Sequence, residues 1–476
     1  MPNALKPYPS YKDSGVPWLG EIPAHWSQRP LKHWVTINKY TLSESTPPGY
    51  AFRYLDIGSV ATGYLVRRPE NLYFKDAPSR ARRILSKGDT IISTVRIYLK
   101  AVYFVTKDEV DLVASTGFAV LTPRSEVDPR YFSFLIRSNS FIDRVTANSV
   151  GIAYPAITET VMGGFHVALP TSIDEQRHIA AFLDHIEHRV NRFIRVKRRM
   201  IALLNEQKQA IIHRAVTRGL DSDVRLKPSG VGLIDDLPTH WSVLRLKALS
   251  PRISGRLVYQ PAQYFSDDGV PFLMANNVTP DGIRWDGVRH IPADINDRFA
   301  HHALREGDVI TVRVGAPGMT CVVPKEADGL NCGSLMIIRR SARFHSQWLA
   351  YTMNSEVIRM QIALVQYGAA QEQINIEDAR NFFLPVPPLE EQKHLADSLS
   401  DLTAPFDRAR NTAQREIDLI REYRTRLIAD VVTGKLDVRG VDLAAYGDEI
   451  VGLDEALADE GDAGDEELAL VDEAEE

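Results

Sequence analysis

The chain has 476 residues, 44% of them hydrophobic, enough for several domains with buried cores. Its two cysteines, Cys321 and Cys332, cannot supply a four-ligand zinc site or a disulfide framework, and no apolar run approaches the ~20 residues needed to span a membrane. The formal charge of −6 misleads, because the stretch from Val441 onward holds 15 Asp or Glu and no Lys or Arg; taking those 15 from the 62 acidic residues leaves a body of +9, a balance that suits a polyanion.

The opening residues, Met-Pro-Asn-Ala-Leu-Lys-Pro-Tyr-Pro, lack the apolar core of a signal peptide, so a cytoplasmic protein is expected. From there to residue 170 the apolar runs are short and β-rich: Thr90 to Val95, Ala101 to Val105, Phe118 to Leu121. A helix is expected at Pro129 to Arg137. The next stretch, to Arg218, has a different period. Ile186, Val190, Phe193, Met200, Leu204, Gln207 and Ile211 recur at mostly three- and four-residue spacing, the pattern of a helix seeking a partner helix. Gly219 is its stop signal. Leu220 to Gly232 is polar, carries Pro228-Ser229-Gly230, and reads as a linker.

The whole pattern then repeats. Pro23-Ala24-His25-Trp26-Ser27 returns as Pro238-Thr239-His240-Trp241-Ser242. Leu85-Ser86-Lys87-Gly88-Asp89-Thr90-Ile91 returns as Leu304-Arg305-Glu306-Gly307-Asp308-Val309-Ile310. Ile173-Asp174-Glu175-Gln176 returns as Leu389-Glu390-Glu391-Gln392. The second globular part has strands at Val309 to Val314, Thr320 to Val323 and Leu335 to Ile338, and a helix at Ser346 to Asn354. Its long helix is placed from Thr403, with Pro405 in its first turn, to Lys435, along Phe406, Ala409, Ala413, Ile417, Ile420, Leu427 and Val431. Two packed helices must be antiparallel here, because the second returns toward the first domain. The tail after Asp442 has the composition of a disordered segment.

The sequence shows no recognisable catalytic or metal motif. No phosphate loop and no His-Glu-x-x-His occur, and the Pro-Pro pairs at 47–48 and 387–388 lack the Asn or Asp before and the aromatic after that an amino-methyltransferase needs. His185 and His188 stand one helical turn apart with no third ligand in view. His25 and His240 read as structural residues, since no acid–base partner is seen to recur with them.

The residues from Tyr11 to Trp26, the repeated Gly-Asp-x-Ile strand, Pro388-Leu389-Glu390-Glu391-Gln392-Lys393 and Ala215-Val216-Thr217-Arg218-Gly219-Leu220 together resemble the specificity (S) subunits of type I restriction-modification systems. The resemblance covers about 1–440 and implies an α+β chain with a pseudo-two-fold internal repeat. Target recognition domains would occupy 1–170 and 223–388, and spacer helix regions 171–222 and 389–440 would form an antiparallel coiled coil. The tail, 441–476, lies outside it. The resemblance also implies that each recognition domain reads one half of a split sequence in double-stranded DNA. The helices would set the gap and dock two methyltransferase subunits, joined by restriction (translocase-nuclease) subunits. S-adenosylmethionine, ATP and Mg would belong to those partners, and this chain would be no enzyme. Two departures stand out: Gly151-Ile152-Ala153-Tyr154-Pro155-Ala156-Ile157 lacks the family's Gly-Ser/Thr-x-Gln loop, and Pro405 aligns with Arg189.

Candidate DNA-reading residues follow from chemistry. Arg96, Lys100 and Arg313 come just after the Gly-Asp-x-Ile strands. Arginine pairs with both guanine acceptors in the major groove, and lysine more often holds phosphate. Gln371 and Gln373 suit adenine, and Tyr154 suits stacking on a base. Ile186, Val190, Phe193, Leu204, Ile211, Ile417, Ile420 and Leu427 are assigned to the helix spacer and its partner contacts. The rival readings are a duplicated protein-interaction scaffold without DNA reading and the recognition part of a fused methyltransferase-nuclease.

Overall fold

The computed structural model describes residues 5–107, 111–151, 155–255, 261–366 and 372–443. The chain divides into two compact units, 1–196 with 416–476, and 197–415.

The first unit is α+β. One antiparallel sheet runs in the order Val35–Ile37, Phe118–Pro123, Thr90–Ser93, Val102–Phe104. A second has Ala51–Leu55 between Glu70–Tyr73 and Leu112–Ser115, the latter pair parallel, with Ala81–Ile84 at its far edge. Helix Pro129–Arg137 begins on Asp128, whose side chain accepts from the Tyr131 amide, with proline in the first turn where no donor is needed. Tyr131, Phe132, Phe134 and Ile136 of that helix are buried in the main core.

The second unit repeats the scheme. Its antiparallel sheet has the order Ile253–Ser254, Leu335–Ile338, Val309–Val312, Thr320–Val322. A second sheet has Val270–Leu273 between Arg289–Ile291 and the parallel Asn331–Cys332. Cys321 and Cys332 are free and buried, and burial pushes both thiols up to about 12.

Two long helices, Ile173–Arg218 and Leu389–Val432, contribute segments to both units. In the first unit the His178 ring meets the Val438 carbonyl and Arg424 donates to Asn191, so the segments run antiparallel. In the second unit Lys208 bonds Asp407 while Ile212, Ala215 and Val216 pack with Leu399, again antiparallel. Gly219 and Gly434 end the helices at φ +77° and +78°, a conformation glycine adopts without a side-chain clash.

Both helices begin well before the sequence pattern suggested, and the repeated Glu-Gln explains why. Buried Gln176 donates to the Glu126 and Pro170 carbonyls and accepts from the Asp128 amide. Buried Gln392 likewise donates to Pro387 and accepts from the His345 amide. Each glutamine ties a helix start to its own globular part. The placement of a helix start at Thr403 is therefore corrected. Thr403 is buried mid-helix, and Pro405 stands inside the helix on its exposed face. Asp401, whose carbonyl loses its intrahelical donor to the proline, is exposed too, so the carbonyl is open to solvent instead of being buried without a donor.

Candidate nucleic-acid interface

In each unit the Gly-Asp turn launches a central strand. Gly88 and Gly307 take φ +89° and +81°. Asp89, 2% exposed, accepts from the Ser86 amide and the Thr122 hydroxyl, and burial raises its carboxyl despite those bonds. Asp308 accepts from the Arg305 and Arg340 amides and pairs with the Arg339 guanidinium. The motif is thus architectural: it fixes where the following strand, and the loop at its far end, will point.

At that far end the first unit presents a short rigid loop. Ile157 donates its amide to the Thr94 carbonyl, and Val95 bridges Ala156. Arg96 and Lys100 then flank a single helical turn, both left-handed at φ +52° and +47°. Left-handed backbone costs a non-glycine residue roughly 1–2 kcal/mol. Two such residues within five positions require that the surroundings hold them. Ile97 and Ala101 are the buried anchors, and the Thr62 hydroxyl clamps the Lys100 carbonyl at 2.7 Å. Arg96, Tyr98 and Lys100 are left exposed, Tyr98 at 57%. A cation, an aromatic face and a second cation held on a strained loop form a surface that suits phosphate and base contacts.

The second unit carries the related edge differently. The Arg313 carbonyl accepts from the Ile374 amide, and Val314 bridges Gln373, so Arg313 and Gln373 are neighbours. Arg313 is half-buried and its Nε donates back to the Ile374 carbonyl at 3.3 Å. It braces the edge rather than projecting from it. Gly315 and Gly318 give the following loop its left-handed bends, and Met319 is exposed. Tyr154 and Gln371 lie outside the described residues. Tyr98 was missed in the sequence, although it sits between the two cations that were chosen and interleaves them with an aromatic ring.

The helix residues sort by face. Val190, Ile417 and Leu427 are buried, and Ile186, Leu204, Ile211 and Ile420 are half-buried. Phe193 is 38% exposed, while its neighbour Ile194 is 7% exposed. Met200 and Gln207 are exposed as well, whereas Lys208 is buried. The buried stripe thus passes one residue C-terminal to the three expected positions. The reading of His25 and His240 also needs correction: an acidic partner does recur. His25 and Trp26 bond Glu175, and His240 and Trp241 bond Glu391, at 2.8–3.2 Å. Each glutamate lies in the first turn of a long helix, where the helix dipole favours a carboxylate. Among the described residues no group of three or more His, Cys, Asp or Glu could hold a metal ion, and no helix is long and apolar enough to cross a membrane.

Residues 39–199 match the family model described as the type I restriction modification DNA specificity domain. The MjaVIII type I restriction enzyme specificity subunit of Methanocaldococcus jannaschii is 23% identical over 344 residues, covering 69% of this chain and 75% of that protein. Residues 39–199 thus resemble a type I DNA specificity domain, and the similarity to a specificity subunit extends over two thirds of the chain. A second relative in the same organism, the putative type I restriction enzyme MjaX specificity subunit, is 22% identical and spans 88% of this chain and 96% of its own length. Among solved structures, a chain from a study of complex assembly and conformational transition of the type I R-M system aligns with a TM-score of 0.63 at 22% identity, over 87% of this chain and 99% of its own. That likeness shows a shared α+β fold.

Proposed function

We propose that this chain is the non-catalytic DNA-specificity subunit of a type I restriction-modification complex. Each recognition domain reads one half of a bipartite target, and the long helices set the gap and dock two methyltransferase subunits, with translocase-nuclease subunits joining them. The observation that carries the reading is the duplicated edge: in both units a Gly-Asp turn launches a strand whose end is bridged by a second segment, Val95 with Ala156 and Val314 with Gln373. The first of these edges holds out Arg96, Tyr98 and Lys100. S-adenosylmethionine, ATP and magnesium then belong to the partner subunits, since methyl transfer, translocation and cleavage are their tasks.

The test is reconstitution with the methyltransferase subunit, followed by single-molecule sequencing of the methylated DNA. Methylation at a split sequence that requires both proteins supports the reading. Methyl transfer by this chain alone, or by the partner alone at the same sites, overturns it.

A further inference from the structure

Lys208 occupies a buried place on the first long helix where the seam would ordinarily take an apolar side chain. Its ammonium donates to Asp407 of the second long helix and to Asp281, each at 2.7 Å. Arg410, on the same face as Asp407, reaches Asp281 at 2.8 Å and Asp407 at 3.5 Å. Asp281 belongs to neither helix. It lies in the tight turn of a hairpin, Val278–Thr279 paired with Gly282–Ile283. Asn277 closes the base of that hairpin by donating to the Arg284 carbonyl and accepting from the Met274 amide. The hairpin packs on Val309–Val312 and Thr320–Val322, the strands that lead to Arg313. Two cations and two carboxylates therefore join the helix pair to the recognition sheet of the second unit.

Among the described residues the first unit has no such network at the corresponding turn; it meets its long helix through Arg130 and Arg137 of helix Pro129–Arg137, which pair with Asp184 and Glu187. The corresponding turn is Thr62-Gly63, which has no carboxylate. Arg424 and Asn191 stand where the repeat places Lys208 and Asp407, and they make one hydrogen bond of 3.3 Å. Gly63 faces the Arg137 guanidinium, which is spent on Glu187. A network at the hairpin turn, built around a buried lysine, is thus particular to the second unit, and a buried lysine is tolerated only when its charge is met.

We propose that Lys208, Asp281, Asp407 and Arg410 form a clasp that fixes the second recognition sheet on its helix pair, making them positioning residues for the second half-site. The proposal rests on the reading of this chain as a DNA-specificity subunit, but its first test does not involve DNA. Three full-length variants are compared by amide hydrogen exchange: Asp281→Asn, Lys208→Met and Lys208→Arg. Met keeps the aliphatic stem in the seam, and Arg keeps the charge. The clasp predicts exchange over 278–283 faster by about tenfold in Asp281→Asn and Lys208→Met, close to wild type in Lys208→Arg, and unchanged in the seam at 212–216. In the reconstituted methyltransferase complex, Asp281→Asn then accepts targets whose gap is one base pair longer or shorter, with both half-sequences unchanged. Unaltered exchange at 278–283 overturns the clasp, as does loosening of the whole unit in every variant. Loosened exchange with an unchanged gap requirement overturns the positioning role. A wild-type complex that methylates no split sequence overturns the specificity reading and leaves the exchange result standing by itself.

Discussion

Phe193 and Ile194 are adjacent on the first long helix yet differ in exposure, 38% against 7%, so an aspartate at each place separates seam from rim. Ile194→Ala deletes buried carbons at a cost of about 2–5 kcal/mol. Ile194→Asp places a carboxylate where a buried apolar side chain stands. If burial lifts its pKa by ~3 units, ionising at neutral pH costs a further ~4 kcal/mol, at 1.36 kcal/mol per unit. That sum rivals the roughly 5–15 kcal/mol that holds a domain together. The pairing of the helix segments in the first unit should be lost. Phe193→Asp keeps its carboxylate in water and should cost only about 1–2 kcal/mol from uncovered ring surface. The pH dependence has a definite sign. A carboxylate whose folded pKa is raised leaves the folded state with more protons than the unfolded chain, so the deficit grows as pH rises above about 4 and is absent below it. The assay is denaturant unfolding and amide exchange over 186–194 and 417–428, at neutral pH and near pH 4. Ile194→Asp should converge on Ile194→Ala at the lower pH. Equal damage from the two aspartates, or greater damage at Phe193, would refute this placement of the seam.

Lys100→Ala should weaken DNA binding by the complex uniformly across sequences and reduce the slope of log affinity against log salt by about one, as loss of one phosphate contact requires. Arg96→Gly should leave stability within about 1 kcal/mol of wild type, because relief of left-handed strain offsets glycine's entropy, yet it should lower methylation of the target; a melt and a methylation assay read the two effects. Gly434→Ala should destabilise strongly, since the added carbon would sit 2.5 Å from the Pro23 ring, whereas Gly230→Ala meets nothing within 4 Å and should cost only the left-handed penalty of about 1 kcal/mol; thermal melting distinguishes them. Burial alone would raise the Asp281 carboxyl, but the bonds from Lys208 and Arg410 outweigh it and hold the group below its ordinary range, beside Asp407. Its stabilising contribution is therefore complete above the ordinary carboxylate pKa and lost as pH falls below it, so exchange protection at 278–283 should fail in acid before that of the seam at 212–216.

The duplication was legible because strand and turn residues obey local rules. The runs at Thr90, Phe118, Val309, Thr320 and Leu335 all became strands, and Pro129–Arg137 formed as read. Helix starts were not legible, because Gln176 and Gln392 fix them through carbonyls elsewhere in each unit, and because Pro405 is harmless on an exposed face. The seam was misphased at Phe193, Met200 and Gln207 because an apolar count cannot credit Lys208, whose burial depends on Asp281, distant in sequence. At the candidate interface, strand-end logic pointed to Arg96 and Lys100, which are exposed, but not to the left-handed backbone at both that leaves Tyr98 exposed between them. Nor did it show that Arg313 would turn back onto the Ile374 carbonyl.

The central claim, one half-site per recognition domain, is tested most directly by exchanging residues 15–165 for the matching part of a relative with a different target. The reconstituted complex is then used to methylate DNA, and every modified base is located by single-molecule sequencing. The account predicts that one half of the split sequence changes while the other half stays as in the wild-type complex. A change in both halves, or in neither, would contradict it.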